Sequence, residues 1–243
     1  MSKMLPSKPE QPIEIFIYSN TDDLQSELIP GGESWVAGHA DPALGVVKVV
    51  IQPGTEQGIT MEQRIPHELM HVMLYRHIGA GYRNIPAWLR EGMATLAELY
   101  PNADYDRALA DAVSADRLIS LKNLCNSFPA DPGQAFLAYA EARSFTNYLH
   151  ATYGSTGLLN LAASYADGLD CEHGTEAAFG VSLSNLESQW RSSVLGQNAF
   201  LPVLQNISPY LVLLCLVLVI PMVGIVSTLR KGKRNEPGTH VRK

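Results

Sequence analysis

Cysteine is scarce in this sequence, with three residues in 243 positions, and no two of them have the C-x-x-C spacing of thiolate metal sites. A metal site built from cysteine ligands is therefore not expected. Cys125 and Cys171 could form a disulfide in an oxidising compartment or remain two free thiols, and the sequence leaves both open. Cys215 lies in an apolar run, where it serves as a small apolar side chain.

Positive charge is also scarce outside the C-terminus. The last 14 residues hold six lysines and arginines against one acid, a net charge of +5, which leaves −11 for residues 1–229. A strongly acidic main body repels phosphate backbones, so no nucleic-acid partner is expected.

The N-terminus lacks the apolar core of a secretory signal, and residues 1–12, MSKMLPSKPEQP, are predicted to be loosely structured. Charge is absent over the 21 positions 209–229, a length that allows a helix to cross a bilayer. The basic tail 230–243 follows at once, which predicts a cytoplasmic tail and an extracytoplasmic body, with 197–208 as a linker. Either a signal has been lost upstream, or the chain inserts tail-first with its body in the cytosol, and both stay open.

Strand patterns come first along the chain and helix patterns follow, without an internal repeat. The predicted class is therefore α+β, a small N-terminal sheet packed on a helical domain over 13–196 and followed by one C-terminal transmembrane helix. Thr60 and Gln63 have the spacing of a capping box, which predicts a helix beginning near residue 61, and Gly79 ends it. The predicted strands are 13–18, 34–40 and 45–53, and the predicted helices are 21–28, 61–77, 87–100, 104–117, 134–153, 156–166 and 183–195.

The segment HELMH at 67–71 carries the clearest chemical signal. Its histidines, His67 and His71, are four residues apart, so on a helix they point the same way with a rise of about 6 Å and can bind one metal ion. Glu68 projects about 100° away, where it can reach a water molecule beside the metal and act as general base. The alternative is a pair of helix histidines without a metal. Pro66, directly before His67, is expected to kink or restart this helix.

A third ligand decides between two kinds of site. His77 has the spacing of H-E-x-x-H-x-x-G-x-x-H proteases, but Leu74 replaces the glycine that lets the chain leave the helix. On an unbroken helix His77 lies about 120° off the ligand face, so we expect a surface or cap histidine. A metzincin-like protease that uses His77 remains the alternative.

Glu91 is the expected third ligand, on a second helix within PAWLREGMATLAEL. It would complete a set of two histidines and one glutamate, as in thermolysin. Gly92 would allow a neighbouring helix to approach closely. The apolar face expected to bury this helix consists of Trp88, Leu89, Met93, Leu96 and Leu99.

The segments HELMHVML and IPAWLREGMA resemble the gluzincin zinc metallopeptidases, most closely the peptidase MA-like domain family. These proteins share the H-E-x-x-H helix and a W-L-x-E-G-x-A helix that carries the third ligand. The resemblance extends more weakly over residues 13–196. It implies a zincin-like domain that binds Zn²⁺ and hydrolyses peptide or protein substrates. Many members are bacterial and carry a membrane anchor or a signal. We therefore expect a single-pass protein of a bacterial cell membrane, in contact with lipid through 209–229.

The resemblance implies that zinc is held by His67, His71 and Glu91 and that Glu68 is the general base. Tyr139 is the expected donor to the oxyanion, although it could equally be a core tyrosine. The strand 45–53 could pair with an extended substrate at a sheet edge, or lie in the interior of the sheet. The competing function is a membrane-tethered domain that binds zinc or peptide and cleaves nothing.

Overall fold

The computed structural model describes residues 11–28 and 36–196, together with four isolated positions of the C-terminal apolar run. The chain divides into two compact units, Met1–Gln197 and Asn198–Lys243. No helix among the described residues is both long and apolar enough to cross a membrane. Most of the expected span 209–229, the N-terminal residues 1–10, the linker and the basic tail lie outside the described residues. The four isolated positions are helical and exposed: Tyr210, Leu213, Leu214 and Val217.

The α+β class is confirmed. Three strands, β1 (Glu14–Tyr18), β2 (Gly38–Asp41) and β3 (Val46–Val50), form one sheet in the order β1-β3-β2. β1 is parallel to β3, and β2 is antiparallel to it. Burial alternates along the first four residues of β3, where Val47 and Val49 are fully buried.

β3 is the central strand, so of the two alternatives for 45–53 the interior position is confirmed and the edge position is wrong. Both of its edges are already hydrogen-bonded to neighbours. Four of its five residues are valines, and Val47 and Val49 pack against Val72 of α2. β2 is the strand that lies at the edge of this sheet next to the helix that carries His67 and His71.

The helical part of the described chain follows the sheet. Its α-helices, after the short α1 (Thr21–Ser26), are α2 (Gln57–Ile78), α3 (Ala87–Ala97), α4 (Asp104–Ser114), α5 (Pro132–Ala166), α6 (His173–Phe179) and α7 (Leu183–Ser193). Two 3₁₀ segments, Gly79–Asn84 and Leu121–Leu124, connect them. Neither of these segments nor α6 was predicted, because such short elements carry too few residues for a periodic pattern.

Several helix boundaries differ from the sequence expectation. α2 begins four residues before the expected start, since Thr60 is inside the helix and its hydroxyl donates to the carbonyl of Glu56. It continues through Pro66 as one helix, and it ends at Gly79 as predicted. α3 ends at Ala97, which leaves Leu99 68% exposed and outside the apolar face. The two helices expected over 134–166 adjoin as α5 across a break at Gly154, where φ is 72°.

The main core joins α2 and α3 to α5 and α7. Trp88 of α3 is fully buried and packs edge-to-face on Phe145 of α5, which packs in turn on Trp190 of α7. Met70 and Leu74 of α2 belong to the same cluster. Buried aromatic pairs of this kind fix the relative position of the helices that carry them. The core therefore holds α2 and α3 together, and these are the two helices that carry the expected metal ligands.

A disulfide joins Cys125 to Cys171, across 46 residues, and settles the alternative that the sequence left open. The bond connects the end of the second 3₁₀ segment to the turn before α6. The carbonyl of Cys125 also accepts the N–H of Ala87, at the start of α3. The disulfide thus anchors the point from which α3 begins.

Candidate metal centre and catalytic cleft

His67, His71 and Glu91 converge on one point. Nε2 of His67 lies 3.4 Å from Oε2 of Glu91, and Nε2 of His71 lies 3.6 Å from the same oxygen. Among the described residues these three form a group whose ligand atoms all lie within 4.8 Å of one another. Ligands about 2.0–2.2 Å from a tetrahedral zinc ion lie roughly 3.3–3.6 Å apart, so the spacing fits that metal.

Each of the three candidate ligands is positioned by a local feature of the sequence. The two histidines project from the same face of α2 because they are four residues apart. Glu91 reaches them because α3 packs deeply into the core. A Cβ on Gly92 would lie 2.0 Å from Oγ1 of Thr146 and 2.6 Å from the carbonyl oxygen of Ala142, both on α5. The missing side chain is what lets the backbone of α3 come this close to α5.

The Nδ1 atoms of both histidines are hydrogen-bonded to neighbouring side chains. Nδ1 of His67 is 3.0 Å from Oε1 of Glu98, and Nδ1 of His71 is 2.9 Å from the hydroxyl of Tyr82. The carboxylate of Glu98 can only accept, so Nδ1 of His67 carries a proton and Nε2 is the nitrogen left for a metal ion. Such partners orient metal-binding imidazoles and make them stronger ligands.

Glu98 and Tyr82 were not singled out in the sequence. Glu98 follows Glu91 by seven residues, close to two helical turns, and this spacing could have placed it on the ligand face. Tyr82 lies in the 3₁₀ segment after α2, where no periodic pattern would have indicated its direction.

The three ligand side chains share a strong electrostatic coupling. Burial lowers the pKa of His67, but hydrogen bonds with Glu91 and Glu98 and the charge of Glu68 outweigh it and raise the pKa to about 10. For Glu91, burial acts to raise the pKa, yet the two histidines hold it well below its ordinary value. Glu91 therefore remains an anion, which is the state that a cation requires of a carboxylate ligand.

Glu68 lies next to the ligand group but outside it. Its side chain is 8% exposed and lies against β2, where a Cβ on Gly38 would be 2.2 Å from its Oε1. Burial raises its pKa, and the nearby His67 and His71 act against that shift. A carboxylate with a raised pKa accepts and returns protons more readily near neutral pH, as a general base must.

Tyr139 lies at the site, on α5. Its ring centroid is 6.2 Å from that of His67, and the ring packs edge-to-face with Phe128. The negative charge of Glu91, followed by burial, raises the pKa of Tyr139 well above its ordinary value, and a hydrogen bond with Glu91 adds to this. The hydroxyl thus stays protonated and able to donate. His77, by contrast, is exposed.

A cleft passes the ligand group in two connected parts. A cavity of about 240 Å³ and another of about 290 Å³ share Gly38, His67, Glu68 and Tyr139 in their walls. The first extends towards Arg64, Asn102 and Tyr105, and the second towards His39, Tyr82 and Arg90. The two cavities therefore meet at His67 and Glu68, beside β2.

Comparison with known proteins agrees with this arrangement. The model of the peptidase MA superfamily matches residues 1–196, which include the strands, the ligand helices and the cleft. No curated protein and no solved structure matches the chain. The match confirms the resemblance seen in the HELMH and WLREGMA segments, and it covers most of the sequence. The chain belongs to the peptidase MA superfamily.

Proposed function

We propose that this protein is a zinc-dependent metallopeptidase. The observation that carries the proposal is the convergence of Nε2 of His67, Nε2 of His71 and Oε2 of Glu91, with both Nδ1 atoms held by partners. Two imidazoles and one carboxylate form the ligand set of catalytic zinc sites that keep a fourth position for water or substrate. A buried glutamate beside the ligands serves no purpose in a purely structural zinc site.

A zinc ion bound there supplies a Lewis acid that polarises the peptide carbonyl and lowers the pKa of a water molecule. Glu68 takes the proton of the attacking water and delivers it to the leaving amine. Tyr139 donates its hydroxyl hydrogen bond to the developing oxyanion, which a protonated tyrosine beside the ligand group can do. Glu98 and Tyr82 hold the two imidazoles in place throughout.

The substrate of the proposed enzyme is a peptide or an unfolded protein segment. β2 lies at the edge of the sheet and contributes Gly38, His39 and Ala40 to the cleft wall. An extended peptide can add to such an edge through main-chain hydrogen bonds, which would place its carbonyl groups along the cleft.

We also propose that the catalytic domain is extracytoplasmic and that 209–229 anchors it to a bacterial cell membrane. The disulfide supports this location, because disulfides persist in oxidising compartments. The uncharged run and the basic tail after it support the anchor and its orientation.

The test uses the full-length chain as wild type, Glu68→Gln, Glu91→Ala and the control His77→Ala, with zinc content and cleavage of a denatured protein as readouts. We expect one zinc per wild-type chain and cleavage. Glu68→Gln should keep zinc and lose at least about 100-fold in rate. Glu91→Ala should lose zinc, and His77→Ala should match the wild type.

Other results would overturn specific parts of the proposal. Cleavage by Glu68→Gln at the wild-type rate would remove the general-base role. Full zinc content in Glu91→Ala, with loss in His77→Ala, would favour the metzincin-like alternative. Zinc binding with no cleavage of a mixed peptide library by the wild type would favour a binding domain.

A further inference from the structure

Arg90 lies at the junction of the catalytic cleft and a second cavity. It precedes the ligand Glu91 on α3 and lines both the cleft cavity of about 290 Å³ and a neighbouring cavity of about 370 Å³. Its guanidinium carbon is 5.5 Å from the centroid of the Tyr82 ring. Its Nε is buried and has no hydrogen-bond partner within the described chain.

The second cavity carries positive charge and no acid. Arg83 and Arg90 line it together with Asn84 and Asn126, and its wall contains no aspartate or glutamate among the described residues. Its remaining lining residues are Ile85, Cys125, Gly168 and Leu169. Two guanidinium groups at one cavity are notable in a body whose net charge is strongly negative.

Other arginines of the described chain that are similarly covered have partners. Arg64 donates to the carbonyl of Val50, Arg143 pairs with Asp106, and Arg191 pairs with Glu187. Arg90 has no ion pair among the described residues, although Glu91 is its chain neighbour, because the carboxylate of Glu91 faces the two histidines. A half-buried guanidinium without an anion is costly, and no residue of the described ranges 11–28 and 36–196 supplies that anion, which favours a partner from a bound ligand.

We propose that Arg90, assisted by Arg83, binds a carboxylate of the substrate, so that the enzyme prefers chains with a carboxylate close to the scissile bond. A guanidinium offers paired donors that match a carboxylate, and the partial exclusion of water strengthens the contact. The carboxylate comes either from an aspartate or glutamate side chain or from the C-terminus of the substrate. This inference rests on the proposed peptidase function.

A merely structural role for Arg90 makes a different prediction. The guanidinium stacks on Tyr82, which bonds His71, so an arginine that only positioned Tyr82 would affect zinc binding. A substrate-binding arginine would change peptide selection and leave zinc binding intact. Zinc affinity is therefore a readout that separates the two roles.

The binding experiment uses the zinc-loaded, full-length Glu68→Gln protein and neutral decapeptides that carry an uncharged methoxycoumarin label. At each position of the decapeptide, the affinity of a peptide with glutamate is compared with that of the same peptide with glutamine. A peptide with a free C-terminal carboxylate is likewise compared with its C-terminal amide. We expect the best carboxylate position to bind about 10-fold tighter than its neutral counterpart. In this background, Arg90→Gln should abolish the preference, and Arg90→Lys should retain part of it. The control variant is Arg117→Gln, because Arg117 is exposed and lines neither cavity.

These two peptide comparisons identify the source of the carboxylate. A preference confined to the free C-terminal acid assigns the subsite to a chain end, and a preference for glutamate at one position assigns it to a side chain. Equal binding of all paired peptides would overturn the proposal, and so would a preference that survives Arg90→Gln. Loss of zinc in Arg90→Gln would assign Arg90 to positioning.

The carboxylate subsite and the peptidase activity would be refuted by different experimental results. Wild-type cleavage of a mixed peptide library without any bias towards acidic residues or chain ends would refute the subsite and keep the peptidase. Carboxylate-dependent binding to Glu68→Gln, with no cleavage by the wild type, would support the subsite and refute the peptidase.

Discussion

At the scale of single residues, the site depends on which nitrogen of each imidazole faces Glu91. Nδ1 of His67 is bonded to Glu98 and Nδ1 of His71 to Tyr82, so both Nε2 atoms point to the same carboxylate oxygen. The orientation is set before a metal binds, and less conformational freedom is lost on binding. This arrangement leads to a prediction about two residues that are not ligands.

Glu98→Gln and Tyr82→Phe should each weaken zinc binding by about 10- to 100-fold, because the imidazoles lose the partners that orient them. Zinc affinity is measured by competition with a chelator at fixed pH. The exposed Glu62, on the same helix as the histidines, supplies the control Glu62→Gln, which should bind zinc like the wild type. Wild-type affinity in both variants would mean that the two hydrogen bonds do not orient the ligands.

The residue scale is also where the sequence was most informative. The four-residue spacing of His67 and His71 is enough to place both on one helix face, and Glu91 follows in a segment that carries its own apolar pattern. The roles of Glu68 and Tyr139 stay predictions, although both side chains lie at the ligand group. Arg90 was overlooked because its neighbouring cavity forms only in the folded chain.

At the scale of secondary-structure elements, the close approach of α3 to α5 positions Glu91. Gly92 faces Thr146 and the carbonyl of Ala142, and a backbone carbonyl cannot rotate away from an added Cβ. The packing of these two helices therefore depends on one missing side chain.

Gly92→Ala should lower the free energy of unfolding by about 1–3 kcal/mol, because the added methyl overpacks the α3–α5 contact. It should also weaken zinc binding, since Glu91 moves with α3. Urea denaturation and zinc titration are the measurements. Gly58, in the first turn of α2, has no atom near an added Cβ, so the control Gly58→Ala should stabilise the protein by up to about 1 kcal/mol. An unchanged stability in Gly92→Ala would show that α5 can move aside.

The segment between α4 and α5 is held by buried polar groups. The N–H of Ile119 donates to Oε1 of Glu141, and that of Leu121 donates to Oε2 of Glu187. Burial raises the pKa of Glu141 to about 8, against the opposing effects of Ile119 and Arg191. At neutral pH Glu141 is therefore mostly protonated in the folded protein and ionised in the unfolded chain.

This difference predicts a loss of stability with rising pH. The contribution of neutral Glu141 is fully present below its unfolded pKa of 4.5 and is lost as pH rises through about 8. Glu141→Gln should remove this loss, which is at most ~5 kcal/mol. Urea denaturation between pH 5 and pH 9 measures it, with Glu14→Gln on the exposed strand β1 as control. Parallel pH profiles for wild type and Glu141→Gln would contradict the prediction.

At the scale of the whole molecule, the disulfide closes a loop that begins just after the second 3₁₀ segment and contains all of α5. Cys125 and Cys171 are 46 residues apart, and the carbonyl of Cys125 bonds to the first residue of α3. The bond therefore constrains the unfolded chain and also secures the start of the helix that carries Glu91.

The double variant Cys125→Ser, Cys171→Ser should lower the free energy of unfolding by about 2–4 kcal/mol, because its unfolded chain regains the freedom of the open loop. Urea denaturation with and without a reducing agent tests this. Reduction should bring the wild type to the stability of the variant and should leave the variant unchanged. A wild type insensitive to reduction would show that the bond contributes little.

The sequence alone determined the features that depend on local spacing. A two-residue period identified the strands, a 3.6-residue period identified the main helices, and the HELMH spacing identified the ligand face of α2. It also carried the family resemblance, because the two motifs are short and contiguous. These features need no knowledge of how distant segments meet.

Only the tertiary structure decided what depends on contacts between distant segments. It placed β3 in the centre of the sheet, paired Cys125 with Cys171 and brought Tyr82 and Glu98 to the imidazoles. The Trp88 cluster joins the helices around the site, and β3 packs in a second core cluster with Val72 of α2. Close packing of this kind fixes the distances between segments far apart in the chain. Spacing along a sequence sets directions within one element, whereas the shared core sets which elements meet.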